Sequence, residues 1–328
     1  MSRRELATSV VVSTYDEKRW EELTACIASL AVQSIPPLET ILVVDHNTDL
    51  LEKAREAFPK TVVIPNANTR GLAGARNSGI AVAQCEIIAF IDDDARAEPQ
   101  WLAKIQECFT DPTTVGVGGA LLPFWQGPEP RWLPREFYWV IGCSYTGLPE
   151  GLAPLRNPIG ANMAARASIL ADVGGFREGG AADAPRELRS RGVVRAGGNI
   201  PDDTDLAIRV SLRFPAAVWL YQPEAIVLHT VTAERSSLAY FIRRCYEEGT
   251  GKAHLSHYVG HQAGLHSERR YLAVAIPRGI GSGLRQALGG EGAGAARAAA
   301  ILAGVLVTAT GFVVANLGRV LRPGAAPV

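Results

Sequence analysis

Three consecutive carboxylates, Asp92, Asp93 and Asp94, stand directly behind the apolar run Ile87–Ile91. Like charges at one point repel, and each resists ionisation beside its neighbours. A divalent cation removes that conflict. Hard cations such as Mn²⁺ or Mg²⁺ take carboxylate oxygens and bridge them to substrate phosphates. An acidic surface turn is the plain alternative. The run before the triplet weighs against it, because β-branched and aromatic residues without a polar break read as a strand buried on both faces. Ligands of open α/β sheets bind outside the carboxyl ends of such strands. A second acidic cluster, Asp202-Asp203-Thr204-Asp205, opens a helical pattern running to about Phe214. Acids there also suit the positive end of a helix.

These clusters need elements to hold them. Thr8–Thr14 is a β-branched run and reads as a first strand. Trp20–Gln33 carries Leu23, Ile27 and Leu30 at helical spacing. Glu39–Val44 reads as a second strand ending at Asp45, Leu50–Phe58 as a short helix and Thr61–Pro65 as a third strand. Asn68–Asn77 is a glycine-containing turn that opens a helix toward Ala83. Pro99 suits the first turn of a helix to about Phe109, and Val115–Leu121 gives a further strand. Strands alternating with helices mean βαβ units and a mainly parallel sheet flanked by helices, an α/β fold. Between Pro123 and Pro158, Trp125, Trp132, Tyr138, Trp139 and Tyr145 mix with Pro and Gly. They read as core packing, with a sugar platform as the alternative. The Gly-, Ala- and Arg-rich stretch Gly179–Gly198 has little to pack and reads as a mobile lid. Val218–Tyr221 and Ala225–His229 read as edge strands, and Leu238–Glu248 as a helix carrying Arg243 and Arg244.

Composition bounds the function. The 328 residues are 47% apolar and 20% charged, enough for a sizeable core. Net charge is zero, which argues against nucleic-acid binding through bulk electrostatics. Five scattered cysteines without a CxxC pair suit reduced thiols rather than a disulfide frame or a zinc site. Arg3 and Arg4 have no long apolar run behind them, so no signal peptide is expected. The first strand lacks a GxGxxG, which argues against a dinucleotide enzyme.

Seven stretches, in order, resemble family 2 glycosyltransferases of the GT-A fold. They are Val-Val-Ser-Thr-Tyr-Asp (11–16), Leu-Val-Val-Asp-His-Asn-Thr-Asp (42–49), Arg-Gly-Leu-Ala-Gly-Ala-Arg-Asn-Ser-Gly (70–79), Phe-Ile-Asp-Asp-Asp (90–94), Gly-Ala-Asn-Met-Ala-Ala-Arg (160–166), Val-Gly-Gly-Phe (173–176) and Asp-Asp-Thr-Asp-Leu (202–206). The resemblance covers about residues 8 to 250 and is nearest to a prokaryotic branch that includes transferases of glucuronic acid to lipid-linked glycans. It implies a Rossmann-like GT-A domain over 1–250, with a nucleotide-binding half (1–121) and an acceptor-binding half (122–250), followed by a helical region (251–328).

It also implies roles. Thr14, Tyr15, Asp16 and Asp45 would frame the base and ribose of a nucleotide sugar, UDP-linked by preference. Arg76 would meet the diphosphate, and Asp93 the ribose. Asp92 and Asp94 would hold Mn²⁺ or Mg²⁺, with His229 as a third ligand. Asp203 would be the general base of an inverting displacement. Asp202 stands where the family has Glu, which leaves the choice of base between the two open. Asn162, Arg243 and Arg244 would meet the acceptor, a glycan or a polyprenyl-phosphate-linked glycan. The alternatives are a nucleotidyltransferase, which would want a basic Gly-rich loop that Val11–Trp20 does not offer, and a non-catalytic nucleotide-sugar-binding module.

Between Arg297 and Arg319 lie 21 uncharged residues, enough to span ~30 Å of hydrocarbon. Gly304, Gly311 and Gly318 recur every seven residues and mark a smooth face for close helix packing. The stretch is Ala- and Gly-rich with Thr308, Thr310 and Asn316, so its hydrophobicity is modest. Its length and the basic flanks at Arg297, Arg319 and Arg322 nevertheless lead to the expectation of membrane contact, spanning or in the interface. A soluble packed helix or a homodimer contact is the alternative. The expected location is the cytoplasmic side of the cell membrane, peripheral or through a single C-terminal helix, with the cytoplasm as the alternative.

Overall fold

The computed structural model describes residues 6–178, 202–259 and 271–320. Its elements are β1 (Thr8–Thr14), α1 (Trp20–Ala31), β2 (Glu39–Val44), α2 (Thr48–Ala57), β3 (Val62–Pro65), α3 (Leu72–Val82), β4 (Ile87–Asp92), β5 (Ala95–Ala97), α4 (Trp101–Cys108), β6 (Thr114–Trp125), β7 (Ala153–Leu155), β8 (Asn162–Arg166) and α5 (Ala167–Asp172). Beyond the expected lid, which lies outside the described residues, follow α6 (Asp202–Arg213), β9 (Val218–Val231), α7 (Leu238–Val259), α8 (Ile276–Leu288) and α9 (Gly292–Val320).

The strands lie in the order β3-β2-β1-β4-β8-β6-β9-β5, with β7 on β9. From β3 to β4 every pairing is parallel, as alternating strands and helices predict. The β4–β8, β6–β8, β5–β9 and β7–β9 pairings are antiparallel, so the sheet is mixed rather than mainly parallel. The parallel strands β1 to β4 are joined by the crossovers α1, α2 and α3. Val218–Val231 corrects a second expectation. It is one long interior strand, not two edge strands, because its ladder partners fall on either side of Pro223: Leu155 to Ala153 pair with Trp219 to Tyr221, and Ala97 to Ala95 with Val227 to His229.

Strand alternation splits the sheet's side chains between two cores. Val10, Val12, Leu42, Val44, Ile87, Ala89 and Ile91 meet Leu23, Leu30, Leu50, Trp101 and Ile105 from α1, α2 and α4. Val11, Ile41, Val43, Ile88, Phe90 and Met163 meet Ala75, Leu170, Leu206 and Val210 from α3, α5 and α6. The wholly apolar run Ile87–Ile91 is therefore buried on both faces, as its composition requires.

The chain divides into two compact units. The first holds the described residues of 6–122, 149–178 and 202–230; the second holds 123–148, 231–259 and 271–320. The expected boundary at residue 250 falls inside α7, in the second unit. That unit has its own core of Leu133, Phe137, Ile141, Cys143, Phe241, Cys245, Ile276 and Ile301. Its aromatic residues pack as core: Trp132 meets Phe241 edge-on, Phe137 lies tilted against Phe241, and Trp125 meets Tyr138 edge-on. The seven-residue glycine spacing also packs within the unit. A Cβ at Gly304 would lie 2.3 Å from the Phe137 ring, and one at Gly311 would lie 2.4 Å from the Tyr246 carbonyl oxygen.

Candidate active site

Three strands of the parallel half deliver polar residues at their carboxyl ends, on one side of the sheet. β1 ends in Thr14, β2 runs into Asp45, and β4 ends in Asp92 with Asp93 and Asp94 behind it. Antiparallel β9 runs alongside β5 and presents His229 opposite Ala95.

Arg76 lies at the centre of the site. It projects from α3, is 3% exposed, and its guanidinium stands 5.1 Å over the Phe176 ring. Nη2 donates to Asp92 Oδ1 at 3.2 Å and Nη1 to Asp202 Oδ2 at 3.0 Å. Burial works against its charge, but Asp202, Asp92 and Asp203 more than offset this and hold its pKa above the ordinary arginine value. Room for the guanidinium comes from a missing side chain. A Cβ at Gly160 would lie 2.8 Å from Nη1 and 3.0 Å from Nη2. Gly160 has a second task, since its N–H donates to Asp203 Oδ2 at 2.8 Å.

Asp203 is half-buried in the first turn of α6. The Thr204 N–H donates to its Oδ1 at 2.6 Å, and the Thr204 hydroxyl does so at 3.2 Å. Burial, then the charge of Asp202, push its carboxyl up to about 6, against the lowering effect of the Gly160 N–H and Arg76. Asp205 on the same helix anchors it. It is 1% exposed and binds Arg209 at 2.8 Å, and Arg209 clamps the carbonyls of Val173 and Gly175 at 2.7 and 2.8 Å. The Val-Gly-Gly-Phe stretch thus serves the site through backbone shape. Gly174 and Gly175 close α5 at φ 72° and 67°, left-handed values that suit glycine. They aim Phe176 at Phe90 and Arg76.

The acidic triplet splits three ways. Asp92 faces Arg76. Asp93, 2% exposed, accepts from the Thr14 hydroxyl at 2.7 Å and from Arg19 at 2.8 Å. Both its oxygens already have partners within the fold. Its carboxyl is pushed up to about 6 by burial, with Arg19 and Thr14 pulling the other way. Arg19 also reaches Asp94 at 3.4 Å. Asp94 Oδ1 in turn stands 3.3 Å from His229 Nε2, both residues being buried. A carboxylate oxygen and an imidazole nitrogen side by side fit a transition-metal dication such as Mn²⁺ better than Mg²⁺. Two of the three expected ligands therefore stand together. Among the described residues no three of His, Cys, Asp and Glu gather at metal-binding spacing.

On the base side, the Asp45 carboxylate accepts from Asn66 Nδ2 at 2.6 Å and from the Gly71 N–H at 2.9 Å, and it meets His46 Nδ1 at 2.8 Å. Tyr15 is 55% exposed, with Arg19 over its ring at 5.5 Å. Asp16 caps the short 3₁₀ turn that carries Arg19, accepting from the Lys18 N–H.

Two expectations need correction or separation. Asn162 is fully buried and spends its amide inside the fold: Oδ1 accepts from Trp101 Nε1 at 2.7 Å, and Nδ2 donates to the carbonyls of Ala120 and Ala225. It ties β8 to α4, β6 and β9 and has no free group for an acceptor. Arg243 and Arg244 belong to the second unit, paired with Glu234 at 3.4 Å and Glu247 at 3.1 Å. Sequence reasoning missed Arg19, Asn66 and Gly160. Gly160 sat in a quoted stretch, but nothing in the sequence shows which side chain occupies the space a glycine leaves.

Comparison with known proteins places this geometry. The model of glycosyl transferase family 2 matches residues 9–174, which takes in Thr14, Asp45, Arg76, the acidic triplet and Gly160. The chain belongs to that family. This family 2 transferase is similar to a glucosyl-dolichyl phosphate glucuronosyltransferase of Haloferax volcanii, 28% identical over 75% of this chain and 76% of the relative. A succinoglycan biosynthesis protein of Rhizobium meliloti is 23% identical over 76% of this chain and 75% of its own. Among solved structures, the mannosyltransferase of Pyrobaculum calidifontis in complex with GDP-mannose and Mn²⁺ superposes with a TM-score of 0.56 at 18% identity, covering 98% of this chain and 89% of that one. The transferase GalNAc-T7, with UDP, GalNAc and Mn²⁺, gives 0.52 at 15% identity over 77% of this chain and 51% of that one. These likenesses show the GT-A fold.

Proposed function

We propose that this family 2 transferase moves a sugar from a UDP-sugar to a hydroxyl of a lipid-linked or polysaccharide glycan, with inversion, using Asp203 as base. The observation that carries the reading is the setting of Asp203. Gly160 and Thr204 hold both its oxygens: Oδ1 accepts twice from Thr204, while Oδ2 accepts from the Gly160 N–H and keeps a lone pair for a proton. A carboxyl raised to about 6 is a stronger base than an ordinary one and is still ionised at neutral pH. The acceptor O–H gives its proton to Asp203. The new C–O bond forms at the anomeric carbon as the bond to the diphosphate oxygen breaks, and the nucleotide leaves with that electron pair. One displacement inverts the anomeric centre.

Arg76 stands ready beside the leaving side. Its planar fork matches phosphate oxygens, which would take over from Asp92 or Asp202 as its partners. Asp45 would accept from a base N–H, and Thr14, Tyr15 and Asp16 would border the nucleoside. Asp94 and His229, with Asp92, would hold a divalent cation, which when bound supplies Lewis-acid charge to the departing diphosphate. The Haloferax relative's acceptor and the charge-free stretch Ala298–Gly318 support a lipid-linked acceptor at a membrane.

Calorimetry with UDP-, GDP- and dTDP-sugars, with and without Mn²⁺, tests the donor. Proton NMR of the first-formed product tests the stereochemistry. Metal-dependent binding of one UDP-sugar that is lost in Asp94→Ala, and an inverted anomer, are expected. A retained anomer or full turnover by Asp203→Asn would sink the mechanism.

A further inference from the structure

The apolar helix α9 has two unlike sides. One is packed within its own unit: Gly304 against Phe137, and Gly311 against the backbone of Tyr246. From α7, a Cβ at Gly249 would lie 2.0 Å from the Thr308 carbonyl oxygen, so the two backbones touch with no side chain between them. The other side is bare. Leu302, Leu306, Val313 and Leu317 are 51–66% exposed, and they recur at three to four residues with exposed Ala295, Ala299 and Ala309. This makes one apolar stripe of roughly 30 Å at 1.5 Å per residue. Nothing between Ala298 and Gly318 is charged.

By length and composition the helix is long and apolar enough to cross a membrane. Its partner is not. Alongside the same stretch α7 carries Arg243, Arg244, Glu247, Glu248 and Lys252. Backbone contact at Gly249 and Gly311 means α9 cannot cross a bilayer without taking those five charges to hydrocarbon depth. Ionisable groups there are costly and pair into buried interiors. An orientation that satisfies both helices lays α9 flat, stripe down, with α7 above it.

The neighbouring sequence has the charge for such a surface. Tyr271 to Val320 holds Arg278, Arg285, Arg297 and Arg319 against Glu291 alone. On α8, exposed Arg278 and Arg285 border exposed Leu284 and Leu288. A leucine row beside an arginine row suits the boundary between acyl chains and anionic headgroups. A second copy of the chain fits less well, because a helix–helix seam is bordered by charges that set register, and this stripe has none.

We infer that the second unit is a monotopic membrane anchor: α9 lies in the plane of an anionic bilayer, buried to acyl depth along its Leu302–Leu317 stripe, and does not span. This deepens the proposed lipid-linked reading but is tested without sugar transfer.

The experiment uses the full chain and vesicles of phosphatidylcholine with and without phosphatidylglycerol. Nitroxide labels go on Leu302→Cys, Val313→Cys and Leu317→Cys, the five native cysteines being buried. In-plane binding gives the three labels one shallow depth by oxygen and nickel relaxation. A spanning helix separates Leu302 from Leu317 by about 20 Å in depth, and that result overturns the inference. Leu302→Glu with Leu306→Glu is expected to lower vesicle partition more than about tenfold, and omission of the anionic lipid to weaken it severalfold. Undiminished binding of the double variant overturns the inference. So does failure of the parent to bind vesicles, whether as a monomer or as a dimer sealed through the stripe. A protein that binds evenly yet transfers no sugar leaves this inference standing and removes the functional one.

Discussion

Gly160→Ala isolates the device at the centre of the site. The backbone at Gly160 is outside the left-handed region, so alanine suits its torsions. The cost is one of space. The new methyl meets Arg76 Nη1 at 2.8 Å, Nη2 at 3.0 Å and Cζ at 3.2 Å. A surface arginine would swing away. This one is pinned by Asp92 and Asp202, stacked on Phe176 and 3% exposed, so the shift is taken out of its hydrogen bonds. Charge-assisted bonds are worth ~1.5–3 kcal/mol each, and partial loss of two gives ~1–3 kcal/mol. Expressed on turnover, that is roughly 5- to 150-fold in kcat/KM. Asp203 keeps its chemical identity, so the loss reports guanidinium placement. The assay is a double-mutant cycle with Arg76→Lys, read in kcat/KM and in urea midpoint. Lysine lacks the planar fork that the methyl strikes, so it should cost less in the Gly160→Ala background, with a coupling of ~1–3 kcal/mol. Additivity within ~0.5 kcal/mol would refute the steric argument.

Other expectations follow from the same geometry. Asp203→Asn should lower kcat about 10²–10⁴-fold while leaving donor affinity near the parent value, measured by calorimetry. Because the base acts ionised, parent kcat/KM should climb as pH passes about 6 and level off above it, and a flat profile from pH 5 to 8 would exclude this base. The same raised carboxyl costs stability on ionising: the folded form loses stability as pH rises from the ordinary carboxylate range through about 6. The Tm advantage of Asp203→Asn over the parent should therefore grow across that window and stay constant above it. Asn162→Ala strands Trp101 Nε1 and two carbonyls in the interior and should cost ~3–5 kcal/mol in chemical denaturation. A variant of parental stability would return Asn162 to the list of binding residues.

The parallel half of the sheet was legible because each element there obeys one local rule. Val10–Val12 and Ile87–Ile91 are apolar without a break, and the acids sit where strands end. The second half was less so, since antiparallel pairing leaves no mark of its own. Val218–Tyr221 and Ala225–His229 read as two strands but are one, because the sequence does not show that β7 and β5 pair with it on either side of Pro223. At the site, the acid types and His229 were readable from position; their partners were not. Asp93 and Asp94 look alike in the chain, yet Thr14 and Arg19 turn one inward while His229 stands beside the other. Asn162 stands alone as a polar side chain among Gly160, Ala161, Met163, Ala164 and Ala165, and only a folded interior shows that its amide is spent on Trp101 and two carbonyls.

The second unit is assembled from segments far apart in the chain, and this sets an order of events during synthesis. Leu133, Phe137, Ile141 and Cys143 leave the ribosome long before Phe241, Ile276 and Ile301, which must cover them. At ~5–20 residues per second the wait is on the order of ten seconds or more. Throughout it the nascent chain carries an aromatic, apolar segment with no partner of its own. The last helix is thus both the closing piece of that fold and the piece that carries the bare stripe, so chains that stop short of α9 should be recognised as unfinished by chaperones and proteases.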